Sequence, residues 1–399
     1  MFIIMNRPTR RALLQTTAAM AAGAAAPAQR IVSVRAAPLP LLPTSRFGTN
    51  KFTSDHDPAR WRWFGPFSQL AGSILVQIRT DGGLTGYGMG GGGTAAIHVI
   101  ETHLKDLLVG ANALNVELLW DQMFASTSFY GRRGLPVMAM SGIDLALWDI
   151  LGQQTGQPVW RLLGGGAREK VPAYYTGTNI AAALDLGFRA FKIGATDSLA
   201  SSPPKLLEFL RATRKTIGAE SKLMIDCLCR WDVETTLDFA RKAEDIGLWF
   251  IEEPLLPDDV PGYRRLCRET VGTRIASGEH EFTHYGFQEI IRNRASHILQ
   301  PDLTWGGGLT AGRRIADLAK AAALPLMPHR GGSLFAIHLA VARPEIPIAE
   351  SFGTGEPGNE MMQALTPAFQ SGYYLAPEKP GLGLDLPASL LKKHTPALV

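Results

Sequence analysis

The chain has 399 residues, 46% of them hydrophobic and 19% charged, which permits a large buried core and excludes wholesale disorder. Its net charge is only +4, and without long basic runs this argues against nucleic acid as a partner. At about 100–250 residues per domain, the length predicts two domains, one of them of barrel size.

The first residues read as an export signal. Paired arginines in Thr9-Arg10-Arg11-Ala12-Leu13-Leu14-Gln15 precede a weakly apolar stretch, and Ala26-Pro27-Ala28 supplies small residues for cleavage. Residues 1–28 are therefore expected to be a twin-arginine signal peptide, with a periplasmic mature protein. The alternative is an alanine-rich tail on a cytoplasmic protein. The stretch is too short and alanine-rich for a membrane span, and no other segment is expected to approach that length.

Residues 29–165 predict a small α+β domain. Strands are expected over 73–79 and 84–88, joined by a turn at Asp81-Gly82-Gly83. Helices follow over 95–108, 116–124 and 137–153, before Gly156 and Pro158 interrupt the pattern. From residue 166 to 352, short apolar strands alternate with amphipathic stretches such as 233–246 and 309–323. The expected strands are 171–175, 190–194, 223–226, 248–252, 274–279, 297–302, 325–329 and 346–350. Eight strands with crossover helices predict an α/β fold of the (β/α) TIM-type barrel class. An open doubly wound sheet is the alternative, but no G-x-G-x-x-G turn supports it. Cys227, Cys229 and Cys267 are too few for a disulfide framework and are expected to be free thiols.

Charge placement at the strand ends is the strongest signal. Asp226 ends Leu223-Met224-Ile225-Asp226, Glu252 ends Trp249-Phe250-Ile251-Glu252, and Glu279 ends Ile275-Ala276-Ser277-Gly278-Glu279. They are 26 and 27 residues apart, about one βα unit each, so three carboxylates reach the same end of neighbouring strands. Unpaired, they would repel one another and resist ionising. A divalent cation resolves that conflict, and an all-oxygen set suits Mg²⁺, with Mn²⁺ as the alternative. Asp302, His329 and Glu350 end the last three strands, and Lys192 sits one unit before Asp226. A histidine beside a carboxylate is an acid–base pair in which the carboxylate orients the ring and raises its basicity.

Ser141-Gly142-Ile143-Asp144-Leu145-Ala146-Leu147-Trp148-Asp149, Leu162-Leu163-Gly164-Gly165, Ile251-Glu252-Glu253-Pro254, Ser277-Gly278-Glu279 and Gln300-Pro301-Asp302 together resemble the enolase superfamily, in its mandelate racemase/muconate lactonizing branch. The resemblance covers residues from about Gly72 to Leu386. It implies a barrel with an N-terminal α+β capping domain, which the segment 353–399 returns to complete, and usually a homo-oligomer. It also implies that Mg²⁺ and Lys192, assisted by Glu350, stabilise an enediolate formed when a base removes the proton α to a carboxylate. Racemising members carry a second lysine two positions after the first; here that position is Gly194.

Within the branch, the sequence is most similar to acid-sugar dehydratases of the L-rhamnonate type. Ser277-Gly278-Glu279-His280, Pro301-Asp302 with Trp305, Gly307-Gly308-Leu309-Thr310 and Lys379-Pro380-Gly381-Leu382-Gly383 carry that likeness. It implies Mg²⁺-dependent dehydration of an aldonate to a 2-keto-3-deoxy acid, with His329 as acid and base. Arg62, His280 and Trp305 are the substrate-binding candidates. Two features depart from the pattern: Arg330-Gly331-Gly332 replaces a small, serine-rich run, and the substrate-choosing loop 44–66 does not align. A racemase, epimerase or cycloisomerase would need a second base, from His280 or that loop. An exported sugar-acid-binding protein would bind without turnover.

Overall fold

The computed structural model describes residues 28–41, 51–52, 62–63, 72–166, 168–195, 202–353 and 359–399. The expected export signal lies outside them except for Ala28, as does most of loop 44–66.

The capping domain is built on strands β1 (Ile31–Pro38), β4 (Ile74–Thr80) and β5 (Thr85–Gly90), which form an antiparallel sheet in the order β1-β4-β5. Two short strands, β2 (Lys51–Phe52) and β3 (Arg62–Trp63), pair separately. Strand β1 was not foreseen. Its register shifts between Ile31 and Ser33, so its buried residues Ile31, Val34 and Ala37 recur every third position and hide the two-residue alternation of a strand.

Strand β5 carries glycine at every second residue, and this determines what packs on it. A Cβ at Gly86 would lie 2.2 Å from the Ala146 carbonyl oxygen, and one at Gly88 2.1 Å from that of Gly142. The helix Leu135–Thr155 therefore rests its backbone directly on the strand. This helix also corrects one expectation. With 21 residues and a mean hydropathy of 1.4, it is long and apolar enough to cross a membrane, yet 83% of that window is buried inside the protein. A helix apolar on every side is here a core helix.

The barrel strands are β6 (Lys170–Thr176), β7 (Ala190–Gly194), β8 (Lys222–Asp226), β9 (Phe250–Glu252), β10 (Arg274–Ser277), β11 (Ile298–Leu299) and β12 (Ala349–Ser351). Neighbours from β6 to β11 are parallel, and β12 pairs in parallel with β6, closing the ring and removing the open-sheet alternative. The expected strand 325–329 is reduced to isolated bridges at Leu326 and His329. Pro325 and Pro328 lack the N–H groups that a continuous ladder needs, and Pro301 shortens β11 in the same way. Even so, the interior holds one apolar residue from each of the eight positions: Tyr174, Ala190, Met224, Phe250, Ala276, Ile298, Met327 and Ile348.

The C-terminal hairpin, β13 (Phe369–Gln370) and β14 (Tyr373–Leu375), pairs antiparallel with the start of β6. The chain then runs back to the capping domain. Leu382 N donates to Asp149 Oδ1 at 2.8 Å, and Gln77 Nε2 donates to the Leu398 carbonyl at 3.1 Å.

Candidate active site

Side chains two residues apart on a strand share a face. One step beyond the apolar layer leads from Tyr174 to Thr176, Ala190 to Lys192, Met224 to Asp226 and Phe250 to Glu252. On three of the remaining four strands it leads from Ile298 to Gln300, Met327 to His329 and Ile348 to Glu350, while on β10 it leads from Ala276 to Gly278, next to Glu279. The barrel core thus changes from wholly apolar to almost wholly polar in a single step, at the end where the strands stop.

Lys192 lies at the centre, 1% exposed. Its Nζ is 2.5 Å from Glu252 Oε1 and 2.7 Å from Glu350 Oε1. Burial alone would depress this amine, but Glu252 and Glu350 hold its pKa well above the usual lysine value. The other Glu252 oxygen accepts from Gln300 Nε2 at 2.5 Å. Glu350 also accepts from Thr176 Oγ1 at 2.7 Å and from the Arg330 backbone N–H at 2.9 Å.

The carboxylates on β8 and β9 are less well served. Burial raises Asp226 to about 7, with the charge of Glu279 adding to it and Lys192 opposing. Glu252 is driven well above the carboxylate range by burial and by Asp226, against the pull of Lys192. Asp226, Glu252 and Glu350 thus share one ammonium, and the charge of Glu279 adds to that of Asp226 and Glu252. This excess of buried negative charge fits a divalent cation, for which Asp226, Glu252 and Glu279 are the available oxygen donors. Their oxygens do not close to within 4.8 Å of one another; both Glu252 oxygens are drawn towards Lys192 and Gln300.

His329 and Asp302 meet as expected, with Nδ1 2.7 Å from Asp302 Oδ2. Asp302 Oδ1 accepts from both the backbone N–H and the hydroxyl of Thr304 at 2.6 Å. Despite burial, the hydrogen bond and charge of His329 hold Asp302 below its usual value. An ionised Asp302 can only accept, so Nδ1–H is the donor and Nε2 remains to exchange a proton. Glu279 Oε2 and Glu350 Oε2 stand 3.7 and 3.9 Å from Nε2, beyond hydrogen-bond reach. Burial opposes the imidazolium, but Glu279, Glu350 and Asp302 together raise His329 above its ordinary value.

Two aromatic rings flank this dyad. Trp305 lies 5.4 Å from the His329 ring, and the half-exposed Phe352 meets it edge-on at 5.8 Å. His280 is 5.8 Å from Trp305, with its Nδ1 held by Glu253 at 2.6 Å. Glu253 also accepts from the Cys229 thiol at 3.2 Å. The ligand atoms of Cys229, Glu253 and His280 lie within 4.8 Å of one another, the one such group among the described residues. Burial, with Glu253 beside it, pushes the thiol up to about 12, so Cys229 keeps its proton and is a poor metal ligand. The cluster is a His280–Glu253 ion pair with a thiol donor. Cys227, Cys229 and Cys267 form no disulfide with one another.

The side chain of Arg62 lies outside the described residues. Gln300, Thr176, Thr304, Glu253, Arg330 and Phe352 were not anticipated as part of the site. Gln300 and Thr176 could have been found by the same two-residue step that leads to Glu350.

Residues 67–164 match the mandelate racemase/muconate lactonizing enzyme N-terminal domain, and residues 177–389 match the enolase C-terminal domain-like family. The L-rhamnonate dehydratase of Saccharopolyspora erythraea is 34% identical over 327 residues, covering 79% of this chain and 84% of that protein. Among solved structures, the Mg-complexed rhamnonate dehydratase of Gibberella zeae superposes with a TM-score of 0.79 at 29% identity, over 92% of this chain and 96% of the other. The 3,6-anhydro-D-galactonate cycloisomerase of Zobellia galactanivorans gives 0.77 at 28% identity, over 92% and 99%. With both domains matched in order, the chain belongs to the mandelate racemase/muconate lactonizing enzyme family of the enolase superfamily.

Proposed function

We propose that the chain dehydrates an acid sugar to a 2-keto-3-deoxy acid through an enediolate, with His329 as the one group that moves protons. The observation that carries this reading is an asymmetry across the barrel mouth. His329 presents a free Nε2 from one side. On the other, Gly194 lies level with Asp226 in the β7–β8 ladder, and a Cβ built there would meet nothing within 4 Å. A second base at this position would have room, and the chain does not supply one.

In this reading His329 Nε2 takes the proton α to the substrate carboxylate. It then returns a proton to the departing β-hydroxyl on the same face, and water leaves. The resulting enol becomes the 2-keto acid. Asp302 keeps Nδ1–H pointing inward through both steps. Lys192 faces the charge that develops on the substrate carboxylate, and Glu350 with Thr176 fixes the direction of its ammonium. Asp226, Glu252 and Glu279 would hold Mg²⁺, or alternatively Mn²⁺, which when bound adds electrostatic stabilisation of the same charge. Glu252 would then turn one oxygen away from Lys192 or Gln300.

The test is a panel of acid sugars incubated with the Mg²⁺-loaded protein in D₂O. Formation of 2-keto-3-deoxy acid is expected. Exchange of the α-proton without keto acid would replace dehydration by racemisation or epimerisation, and binding without either would make the chain a binding protein. We also infer that residues 1–28 direct periplasmic export. Changing both Arg10 and Arg11 to lysine should then trap the precursor in the cytoplasm, as fractionation would reveal.

A further inference from the structure

One cation at the barrel mouth takes no part in the chemistry above. Arg330 follows His329 with a left-handed backbone, φ 54°, an uncommon conformation for a residue with a side chain. That turn delivers its backbone N–H to Glu350 and sends its side chain elsewhere. The guanidinium carbon lies 5.1 Å from the centre of the Trp305 ring. Nη1 is buried and has no hydrogen-bond partner among the described residues.

The neighbourhood makes this arrangement informative. Asp226, Glu252, Glu279, Asp302 and Glu350 all end at the same mouth, yet among the described residues Arg330 forms an ion pair with none of them. Stacking on an aromatic face restrains a guanidinium without using its N–H donors. The charge helps to hold Asp302 below its usual value, but the buried Nη1 donor is left without an acceptor. The reacting carboxylate has other partners, because Lys192 and the proposed cation site lie on β7 to β10. Arg330 lies outside that set, against the Trp305 ring that also packs beside His329.

We infer that Arg330 binds a second acidic group of the substrate, at the end away from the reacting carbon, so that the acid sugar is a diacid of the aldaric class. This rests on the dehydratase reading and narrows it, replacing the aldonate expected from sequence. A carboxylate satisfies both the charge and the paired donors of a guanidinium, whereas a sugar hydroxyl leaves the charge unmatched. The departure of Arg330-Gly331-Gly332 from the small, serine-rich pattern is then a change of substrate, made one residue from the acid–base group.

The test is calorimetric titration of Mg²⁺-loaded His329→Asn protein with stereochemically matched pairs. Each pair would be an aldonate and an aldarate that differ only in a terminal hydroxymethyl or carboxylate, gluconate and glucarate among them. For the best-binding pair the aldarate should bind at least tenfold more tightly. Adding Arg330→Gln should bring that ratio to about one, and so should Arg330→Gly, which suits the left-handed backbone and guards against misfolding. Equal affinities, an unchanged ratio in the double variants, or no binding by any pair would overturn the assignment. Wild-type turnover of the same panel reports separately on dehydration. Arg330-dependent aldarate binding without keto acid keeps this assignment and removes that reaction. Keto acid from aldonates and aldarates alike, with equal affinities, does the reverse.

Discussion

Asp226 and Glu350 are both carboxylates at the ends of barrel strands, 9% and 1% exposed, and they titrate in opposite directions. Burial raises both. Around Asp226, Lys192 does not offset burial and the charge of Glu279, and the group rises to about 7. Around Glu350, Lys192 and His329 outweigh burial, with Thr176 assisting, and the group falls to about 2. The two sides of one mouth therefore differ in what they lack. The β8–β10 side has more negative charge than its own residues neutralise. On the side formed by Asp302, His329 and Glu350, with Lys192 reaching across from β7, each carboxylate is answered by a donor or a cation. Partners, and not depth of burial, decide which side carries uncompensated charge and which is already internally paired.

Three substitutions would break or sharpen this contrast. Glu252→Gln should have the largest effect, since it removes charge from the side that needs a cation. Activity should fall below detection, and Mg²⁺ affinity should fall by more than the roughly 10–100-fold of an outer-shell change. Circular dichroism should show the fold intact. Unchanged Mg²⁺ affinity by titration would mean that the three carboxylates are not the metal site.

His329→Asn acts on the other side. General acid–base groups contribute about 10²–10⁴-fold each, and one residue in two roles reaches or exceeds the upper figure. Both dehydration and α-proton exchange should disappear while Mg²⁺ binding persists. Exchange that survives without product would assign the base elsewhere and leave His329 as acid only.

Asp302→Asn should cost least, on the order of 10–100-fold in kcat, because Asp302 orients the ring and moves no proton itself. Its pH profile carries the sign. The charge and hydrogen bond of Asp302 favour the imidazolium and raise the pKa of His329. Without them the pKa falls, though Glu279 and Glu350 still oppose burial, so the free base survives to lower pH. The acidic limb of kcat/KM should move down. A limb that stays in place would mean that Asp302 does not tune His329.

The site was legible because the step of two along a strand is rigid. Apolar residues such as Met224 and Phe250 mark the inward face, and Asp226 and Glu252 must follow on it. His329 was found on the same grounds although its strand is broken by Pro325 and Pro328; inward direction survives where the hydrogen-bond ladder does not. Strand β1 was missed because a bulge converts its alternation to a repeat of three. The helix Leu135–Thr155 was placed correctly, but its span length was overlooked because Asp144 and Asp149 interrupt the apolar run. Both acids are buried, Asp144 bonded to Thr310 and Asp149 to Tyr87 and Leu382. The partners of Glu253 and the stacking of Arg330 depend on how separate loops meet, which no local period encodes.

The loop that carries Trp305 is not held by the barrel alone. Gly307 donates its N–H to Ser141 Oγ at 2.8 Å, and its carbonyl accepts from Trp120 Nε1 at 2.7 Å. Both partners belong to helices of the capping domain. The two domains are consequently poor candidates for exchange as modules. A cap grafted from a relative would bring its own substrate loop, but without a serine and a tryptophan in these places it would release the platform under Arg330. The setting of the Trp305 loop is thereby tied to interdomain fit, and a chimaera that preserves one must transplant the other with it.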